Sequence, residues 1–314
     1  MKRHLKFALP CAMAISALAQ ASVGQGITAP QFSPGLVLRY QFDVRTTHDG
    51  DAAGVVENPQ GGRRLSVRFA ASMKLEVLEP SGGDTQLRVT FEQVSVVVEG
   101  DTFDPAVAAF ERRYHQLEGY WAIFAASGAP GPPALARSLN DPQLEVTAQN
   151  WMRLLAARPW NASDAAPGST WSAEQPVAVA PLKDTVLRTQ STYLRDEPCG
   201  GSSERAAVNV PSLATEACAV ILTRSAVTQA GSRRDPTPDS YRERGLRTTG
   251  RWDGSGETLA YVSRRAGWIV SVTETQSEQM DFTVSRSDGE IVVRQRGRVE
   301  TQSNLLLQSV ETRK

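Results

Sequence analysis

The residues from Asn140 to Trp171 are NDPQLEVTAQNWMRLLAARPWNASDAAPGSTW, and the sequence on both sides of them is β-type. Asn140-Asp141-Pro142 predicts a helix start, because an Asx residue caps a helix and proline suits its first position. Pro159 predicts its end, because proline disfavours the helical conformation in the residue before it. Apolar residues recur at helical spacing between these limits: Leu144, Ala148, Trp151, Leu154 and Leu155. We therefore predict one amphipathic helix and a turn-rich bridge, packed between two β-rich halves and fixing how they meet.

Alternating apolar and polar residues predict the strands on both sides of this segment. The clearest run has apolar residues at every second position: Leu65, Val67, Phe69, Ala71, Met73, Leu75 and Val77. A similar strand from Leu36 to Val44 precedes it. In the strand that follows, the apolar positions change parity without a turn, which predicts a β-bulge near Glu92-Gln93.

Turn and loop signals separate the strands. The segment from His48 to Arg64 is polar and rich in glycine, which predicts a long loop with His48 in solvent. The residues Asp253–Gly256 predict a turn, and Asp288-Gly289 predicts a type I′ hairpin. Few predicted strands alternate with helices, which argues against a parallel α/β sheet.

The pattern as a whole predicts an α+β fold that is mainly β. It consists of long, curved antiparallel sheets in two halves, half-barrel-like, with a few short helices between or on them. We divide the chain into a signal peptide at 1–21, a first β-rich half at 22–139, the central helix and bridge at 140–171, and a second β-rich half at 172–314. Long, bent strands curl a sheet and leave a concave face.

The first residues predict export. Lys2, Arg3 and Lys6 precede a short apolar run, and small residues around Ala19 and Ala21 form a cleavage site. The apolar run is too short to span a membrane, so we predict a periplasmic or secreted protein without an integral membrane span. After cleavage only two cysteines, Cys199 and Cys218, remain, and in an oxidising compartment they are expected to form a disulfide.

Several functions are disfavoured by composition and by missing motifs. A formal net charge of +0 supplies no field for nucleic acid. No serine-hydrolase elbow, zinc-protease, phosphate-loop or dinucleotide-binding motif occurs. His48 and His115, the histidines left after cleavage, lie outside any metal-ligand spacing. We therefore expect no metal, no cofactor and no catalytic residue, and a protein that is not an enzyme.

Two segments resemble a group of uncharacterised exported bacterial β-rich proteins with a domain of unknown function. The first, Pro167-Gly-Ser-Thr-Trp-Ser172, opens the second half, and the other runs from Thr249 to Gly256 before Leu259. The resemblance implies curved antiparallel sheets distantly related to lipoprotein-carrier half-barrels. It transfers no catalytic residue.

The first functional hypothesis is a non-catalytic exported protein that binds an apolar ligand or a partner segment in a concave sheet face. The residues expected to line that face are Phe69, Met73, Trp252 and Trp268. An alternative is a structural or interaction protein of the cell envelope whose apolar faces are packed core. A third is a hydrolase with a site of unfamiliar sequence, which would require a histidine, a serine and a carboxylate to converge.

Overall fold

A computed structural model describes residues 30–53, 63–79, 85–100, 105–126, 133–156, 165–179, 182–200, 210, 213, 216–229 and 235–312. The predicted signal peptide, the middle of the predicted loop after His48, Pro159 and the first part of the bridge lie outside the described residues.

The described chain forms eleven strands and three short helices. The elements in chain order are β1 (Leu36–Ala53), β2 (Arg63–Val77), β3 (Gln86–Glu99), α1 (Pro105–His115), β4 (Trp121–Ala125), β5 (Leu135–Ala136), α2 (Pro142–Ala156), β6 (Thr170–Val179), β7 (Leu182–Pro198), β8 (Ala217–Gln229), α3 (Asp239–Arg242), β9 (Leu246–Ser263), β10 (Ile269–Arg286) and β11 (Ile291–Thr312). The predicted fold class, mainly antiparallel β with a few short helices, is confirmed.

The eleven described strands belong to one antiparallel sheet. Its order is β5-β4-β3-β2-β1-β11-β10-β9-β8-β7-β6, so the edge strands β5 and β6 do not pair. The two predicted halves are the flanks of this sheet, joined where β1 pairs with β11 from Leu36↔Thr312 to Ala53↔Arg294. The halves therefore meet through strand pairing and not, as the sequence suggested, through the central helix. Long strand pairs satisfy their own backbone hydrogen bonds, so this joint needs no helix.

The central helix α2 follows one edge strand and precedes the other. Its buried residues Leu144, Ala148, Met152 and Leu155 belong to the first apolar cluster, which contains most of the protein's core. Trp151 lies among aromatic rings of the first half, with centroid distances of 5.1 Å to Phe69, 5.5 Å to Phe42, 6.3 Å to Phe91 and 6.4 Å to Tyr114. The helix thus covers the inner side of the first half.

The predicted bulge in β3 is confirmed. The pairing of β2 with β3 jumps from Ala70↔Ser95 to Ser72↔Glu92, and Gln93 has a φ of 57°. The displaced backbone N–H groups of Gln93 and Val94 donate to the carboxylate of Glu118, at 3.2 and 2.7 Å. The side chain of Glu118 therefore satisfies donors that the strand ladder leaves unpaired.

The hairpin at Asp288-Gly289 is confirmed, but the predicted turn type is wrong. Gly289 has a φ of 90°, whereas Asp288 does not have the positive φ that type I′ requires. The Arg286 N–H donates to the Glu290 carbonyl at 2.8 Å, and the Gly289 N–H donates to the Arg286 carbonyl at 3.0 Å. These bonds enclose a three-residue loop, in which a type I turn ends on a left-handed glycine.

The predicted disulfide is present. Cys199 and Cys218 are bonded with a Cα–Cα distance of 5.0 Å and a sequence separation of 19 residues. Both cysteines are buried in the first apolar cluster.

We expect thiol labelling of the denatured, unreduced protein to find neither cysteine free. Replacing both Cys199 and Cys218 by serine should lower the free energy of unfolding by roughly 3 kcal/mol, the cost expected for opening a loop of this size. Urea titration of the double variant against the oxidised parent measures it. Two labelled thiols per chain in the unreduced protein would contradict the expectation.

Candidate functional site

One face of the sheet, here called the inner face, contains the buried side chains of the core. Phe42 on β1, Leu305 on β11 and Val272 on β10 lie in one row across it, because each pairs with the next. Side chains alternate between faces along a strand, so every second residue from these positions faces inward. The register then assigns the inner-facing residues of neighbouring strands to successive rows.

Three rows of the inner face form a polar belt across the middle of the sheet. The row next to Val272 contains Glu274 with Ser303, Thr258, Thr223 and Ser191; the next contains Gln276 with Thr301, Thr46, Ser225 and Thr189; the third contains Glu278 and His48. All of these side chains are buried except Ser225, which is half-buried. Buried polar groups require hydrogen-bond partners, so a belt of this extent calls for an explanation.

The belt separates two apolar regions. The first apolar cluster lies on the side of Val272, with α1 and α2 packed on it. On the other side lies the second apolar cluster, formed by Leu182, Trp252, Met280, Phe282, Val284 and Val299, with Tyr241 and Leu246 at its border. The inner face therefore changes from apolar to polar to apolar along β10.

Glu274 is the hydrogen-bonded centre of the belt. Its carboxyl group accepts hydrogen bonds from Gln276 Nε2 at 2.8 Å, Ser303 Oγ at 3.1 Å and Thr258 Oγ1 at 3.4 Å. Burial nevertheless raises the pKa of Glu274 from 4.5 to about 7, because desolvation of the charged form outweighs these bonds. A substantial share of Glu274 is thus protonated at neutral pH.

Glu278 lies four residues further along β10, and its carboxyl group has fewer hydrogen bonds than that of Glu274. Its Oε2 atom is buried and has no hydrogen-bond partner in the described structure. Burial, and secondarily the negative charge of Glu274, raise the pKa of Glu278 from 4.5 to about 8. A carboxyl group with this pKa is mainly neutral at pH 7, and its protonated form can donate as well as accept a hydrogen bond.

Two glycines on β9 provide the space for these side chains. A Cβ atom on Gly254 would lie 2.9 Å from Cγ of Glu278, and one on Gly256 would lie 2.9 Å from Cγ of Gln276 and from Oγ of Ser225. The turn predicted at Asp253–Gly256 is therefore wrong, since β9 runs straight through these residues. Glycine inside a strand can mark a close approach as well as a turn, and here it admits the belt side chains of β10.

His48 is a second correction. The sequence predicted a solvated loop, whereas His48 lies in β1, only 7% exposed, and pairs with Val299 of β11. Its Nδ1 atom is buried without a hydrogen-bond partner in the described structure, and burial lowers the pKa of His48 to about 4. Glu278 pairs with Val299 from the other side. The backbones of His48 and Glu278 are therefore two strand spacings apart, about 10 Å.

The four residues expected to line a ligand cavity are not brought together. Phe69 and Met73, 1% and 0% exposed, are packed within the first apolar cluster. Trp268 is half-buried at the border of the same cluster, where its Nε1 donates to the Gln31 carbonyl at 3.1 Å. Trp252 alone lies next to the polar belt, opposite Met280, and its Nε1 has no hydrogen-bond partner in the described structure.

The described part of the chain also has an open groove of about 590 Å³ across β8–β11. Its walls include Arg224, Glu257 and Glu300, and the first two form an exposed ion pair at 2.9 Å. The groove is polar and faces solvent, so it differs from the apolar concavity that the sequence suggested.

The belt residues escaped the sequence analysis, although a signal for them exists. Val272, Glu274, Gln276, Glu278 and Met280 occupy every second position of one strand, so the polar residues continue an apolar face. Polar residues at core-facing parity break the usual binary pattern, and such breaks are expected at functional sites.

Two searches of the described residues bear on the class of site. No group of three or more His, Cys, Asp or Glu residues is arranged to hold a metal ion there. No helix in the same part of the chain combines the length and the apolar character that a membrane crossing demands.

Comparisons with known proteins do not identify a family. No family model and no curated protein matches the chain. A structure described as lipid–protein interactions in lipovitellin is similar over 90% of this chain and 26% of its own, with 12% identity and a TM-score of 0.44. The chain thus spans about a quarter of the lipovitellin chain.

Two further structures are less similar. An outer membrane channel from Pseudomonas putida F1 is 9% identical over 89% of this chain and 97% of its own, with a TM-score of 0.20. A DUF1329 family protein from Desulfovibrio piger is 7% identical over 87% of this chain and 85% of its own, with a TM-score of 0.14. Likenesses at these TM-scores support no argument about function, which must be made from the site itself.

Proposed function

We propose that this protein is a non-catalytic, exported binding protein. Its ligand is a molecule, or an extended partner segment, with an apolar body and a polar end. The apolar body lies against the second apolar cluster and the polar end meets the polar belt. The observation that supports this most directly is a set of three buried polar atoms that have no hydrogen-bond partner among the described residues, at the border between these surfaces: Glu278 Oε2, His48 Nδ1 and Trp252 Nε1.

The physical argument concerns the cost of burial. An unpaired buried polar group costs about 1–3 kcal/mol, so most such groups in folded proteins have a partner. Met280, opposite Trp252 in the register, follows Glu278 on the inner face and supplies apolar surface directly beside these atoms. A ligand that offers hydrogen bonds at one end and hydrocarbon at the other would satisfy both surfaces at once.

The arrangement favours binding over catalysis. A hydrolase of the serine type needs a histidine within hydrogen-bond reach of its serine. Ser303 pairs with Val44, four residues from His48 along β1, so their backbones are about 13 Å apart. Ser303 instead donates its hydrogen bond to Glu274. Ser303, His48 and the carboxyl group of Glu274 thus lack the geometry of a nucleophilic site.

Export is part of the proposal. A buried disulfide is typical of proteins that fold in an oxidising compartment. The charged and apolar residues at the start of the chain form a secretory signal pattern. Together they favour a periplasmic or secreted location.

Binding should depend on the indole N–H of Trp252. We expect native mass spectrometry of protein purified from its own host to show a bound amphiphile, and dodecanol to compete with it. Trp252→Phe keeps an aromatic ring but removes Nε1, so it should weaken dodecanol binding roughly 2- to 10-fold, the usual worth of one hydrogen bond.

Trp151→Phe is the matched control, because Trp151 Nε1 is also buried without a partner in the described structure but lies in the first apolar cluster. It should leave dodecanol affinity unchanged. Absence of both a retained ligand and saturable dodecanol binding would overturn the proposal.

One observation favours a second candidate, a structural or interaction protein of the envelope without a small ligand. Phe69 and Met73 are packed core residues and line no cavity in the described structure. Under this alternative the belt would serve only to specify the fold, and native mass spectra would show the bare chain.

A further inference from the structure

The described part of the inner face has buried acidic groups but no buried lysine or arginine to compensate their charge. Among the buried inner-facing residues of β1 and β8–β11 that the structure describes, the ionisable ones are Glu274, Glu278, His48 and Tyr40. The arginines of these strands, such as Arg224, Arg251, Arg296 and Arg298, lie on the solvent-facing side and pair with exposed acids or serine. Two carboxyl groups are thus buried together without a positive charge.

The elements packed nearby do not supply that charge either. Opposite Glu274 and Glu278, β9 presents Thr258 and Gly254, and β11 presents Ser303 and Val299. On α3, which packs near the second cluster, Arg242 pairs with Asp235 and Asp239 at 3.1 Å each. On α1, Arg113 pairs with Asp141, at the start of α2. These two cations, Arg242 and Arg113, therefore have other partners.

We propose that the polar end of the ligand is a primary ammonium group, and that Glu278 is its acceptor, with Glu274 as the second carboxyl group on the same face. This inference rests on the proposed function and specifies the chemical class of its ligand. Glu278 Oε2 belongs to a residue that is 3% exposed and has no hydrogen-bond partner among the described residues, so it provides an acceptor at the border of the second apolar cluster. His48 lies opposite Val299 on the same face, and its Nδ1 atom also has no hydrogen-bond partner among the described residues.

Charge decides between the possible headgroups. A buried carboxylate is costly unless a cation accompanies it, and an ammonium group supplies that cation together with three donors. The hydroxyl groups of Thr258 and Ser303 flank Glu274 and can accept from such a donor. A fatty-acid anion would bring a negative charge beside the partly ionised Glu274 and would offer no cation to either carboxyl group, so it should bind most weakly.

Proton release is the signature of this arrangement. In the free protein at neutral pH Glu278 is mainly protonated and Glu274 is partly protonated, and Glu278 would ionise beside an ammonium ion. Affinity for an amine should therefore rise as the pH is raised from 6 to 8, while affinity for an uncharged amphiphile should not change. A site that binds only through apolar contacts would show the same pH dependence of affinity for the amine and for the uncharged amphiphile.

The test compares three ligands with the same chain: dodecylamine, dodecanol and dodecanoate, each below its aggregation concentration. Isothermal titration calorimetry of the full mature protein at pH 7, in phosphate and in Tris, gives both affinity and protons released. We expect dodecylamine to bind at least 10-fold more tightly than dodecanol, dodecanoate to bind most weakly, and the amine alone to release protons.

Glu278→Gln removes the charge but keeps the shape of the protonated acid, so the variant should fold. It should lose the preference for the amine while binding dodecanol within twofold of the parent. Glu257→Gln, which removes an exposed carboxylate from the other face of the sheet, is the matched control and should keep the preference.

The outcomes separate the two proposals. Equal binding of dodecanol and dodecylamine by the parent protein, or an undiminished amine preference in Glu278→Gln, would overturn the ammonium site and leave the binding function intact. Failure of all three ligands to bind would overturn the proposed function and this inference with it.

Discussion

The free energy of unfolding should fall by several kcal/mol as the pH is raised from 5 to 9, in the absence of ligand. Burial raises the pKa of Glu274 to about 7 and that of Glu278 to about 8, from 4.5. The folded protein therefore holds two protons that the unfolded chain releases at lower pH, and its stability declines with rising pH. That stability is complete below pH 4.5 and is lost as the pH passes 7 and 8, at about 1.4 kcal/mol per unit of pKa difference.

His48 has the opposite effect on the acid side. Burial lowers the pKa of His48 from 6.5 to about 4. Between these pH values the unfolded chain binds a proton at His48 and the folded protein does not. This costs stability as the pH falls through that window, and it opposes the gain from the two acids. The loss of stability due to His48 reaches its full size below about pH 4 and is absent above pH 6.5. The effect of the two acids is therefore best measured between pH 6.5 and 9.

Urea titrations at pH 6.5, 7.5 and 9 measure the effect. The double variant Glu274→Gln/Glu278→Gln should flatten the profile, because glutamine imitates the protonated acid and does not titrate. The control Glu257→Gln/Glu300→Gln removes two exposed carboxylates and should leave the slope unchanged. A parent protein whose unfolding free energy is constant over this range would show that the two acids ionise without cost.

Trp151→Ala should lower the free energy of unfolding by roughly 3–5 kcal/mol, the usual cost of deleting a buried aromatic side chain. Trp151 is 3% exposed and its ring is surrounded by Phe42, Phe69, Phe91 and Tyr114. Alanine would leave a cavity among four rings that are fixed by three strands and α1, so the site can collapse only in part. Denaturant titration with a ring-fluorescence-independent probe, such as far-UV circular dichroism, measures the loss.

Two controls separate cavity formation from other effects. Trp151→Phe fills most of the space and removes an N–H without a described partner, so its cost should be well below that of alanine. Trp171→Ala deletes the same side chain at a half-buried position of β6 and should also cost less. A loss below about 1 kcal/mol for Trp151→Ala would mean that the helix is peripheral to the core.

Much of the fold could be predicted because it depends on local periodicity. Side chains of a strand alternate with period two, so the buried face of β2 from Leu65 to Val77 could be predicted without knowing which strands pair. The same reasoning detected the bulge at Gln93, since one extra residue shifts the parity of everything that follows. Cys199 and Cys218 could be paired because no other cysteine remained after the signal segment.

The candidate site could not be predicted in the same way, because the local sequence of each of its parts is compatible with two different structures. Asp253–Gly256 has the composition of a turn, and only the approach of Glu278 and Gln276 shows why glycine is needed inside β9. His48 follows a strand and precedes a polar segment, and only its pairing with Val299 of β11 makes it a buried residue. Partners far apart in sequence decided both cases.

The sequence by itself determined the mainly antiparallel β class, the start of α2, the bulge and the disulfide, all of which follow from short-range pattern or from elimination. Only the tertiary structure decided that the two halves form one sheet, because the pairing of β1 with β11 joins segments from opposite ends of the chain. That same pairing aligns His48 with Glu278 across Val299 and so adds His48 to the polar belt. Local propensity contains no information about which strand will lie beside which, since any strand edge can in principle pair with any other.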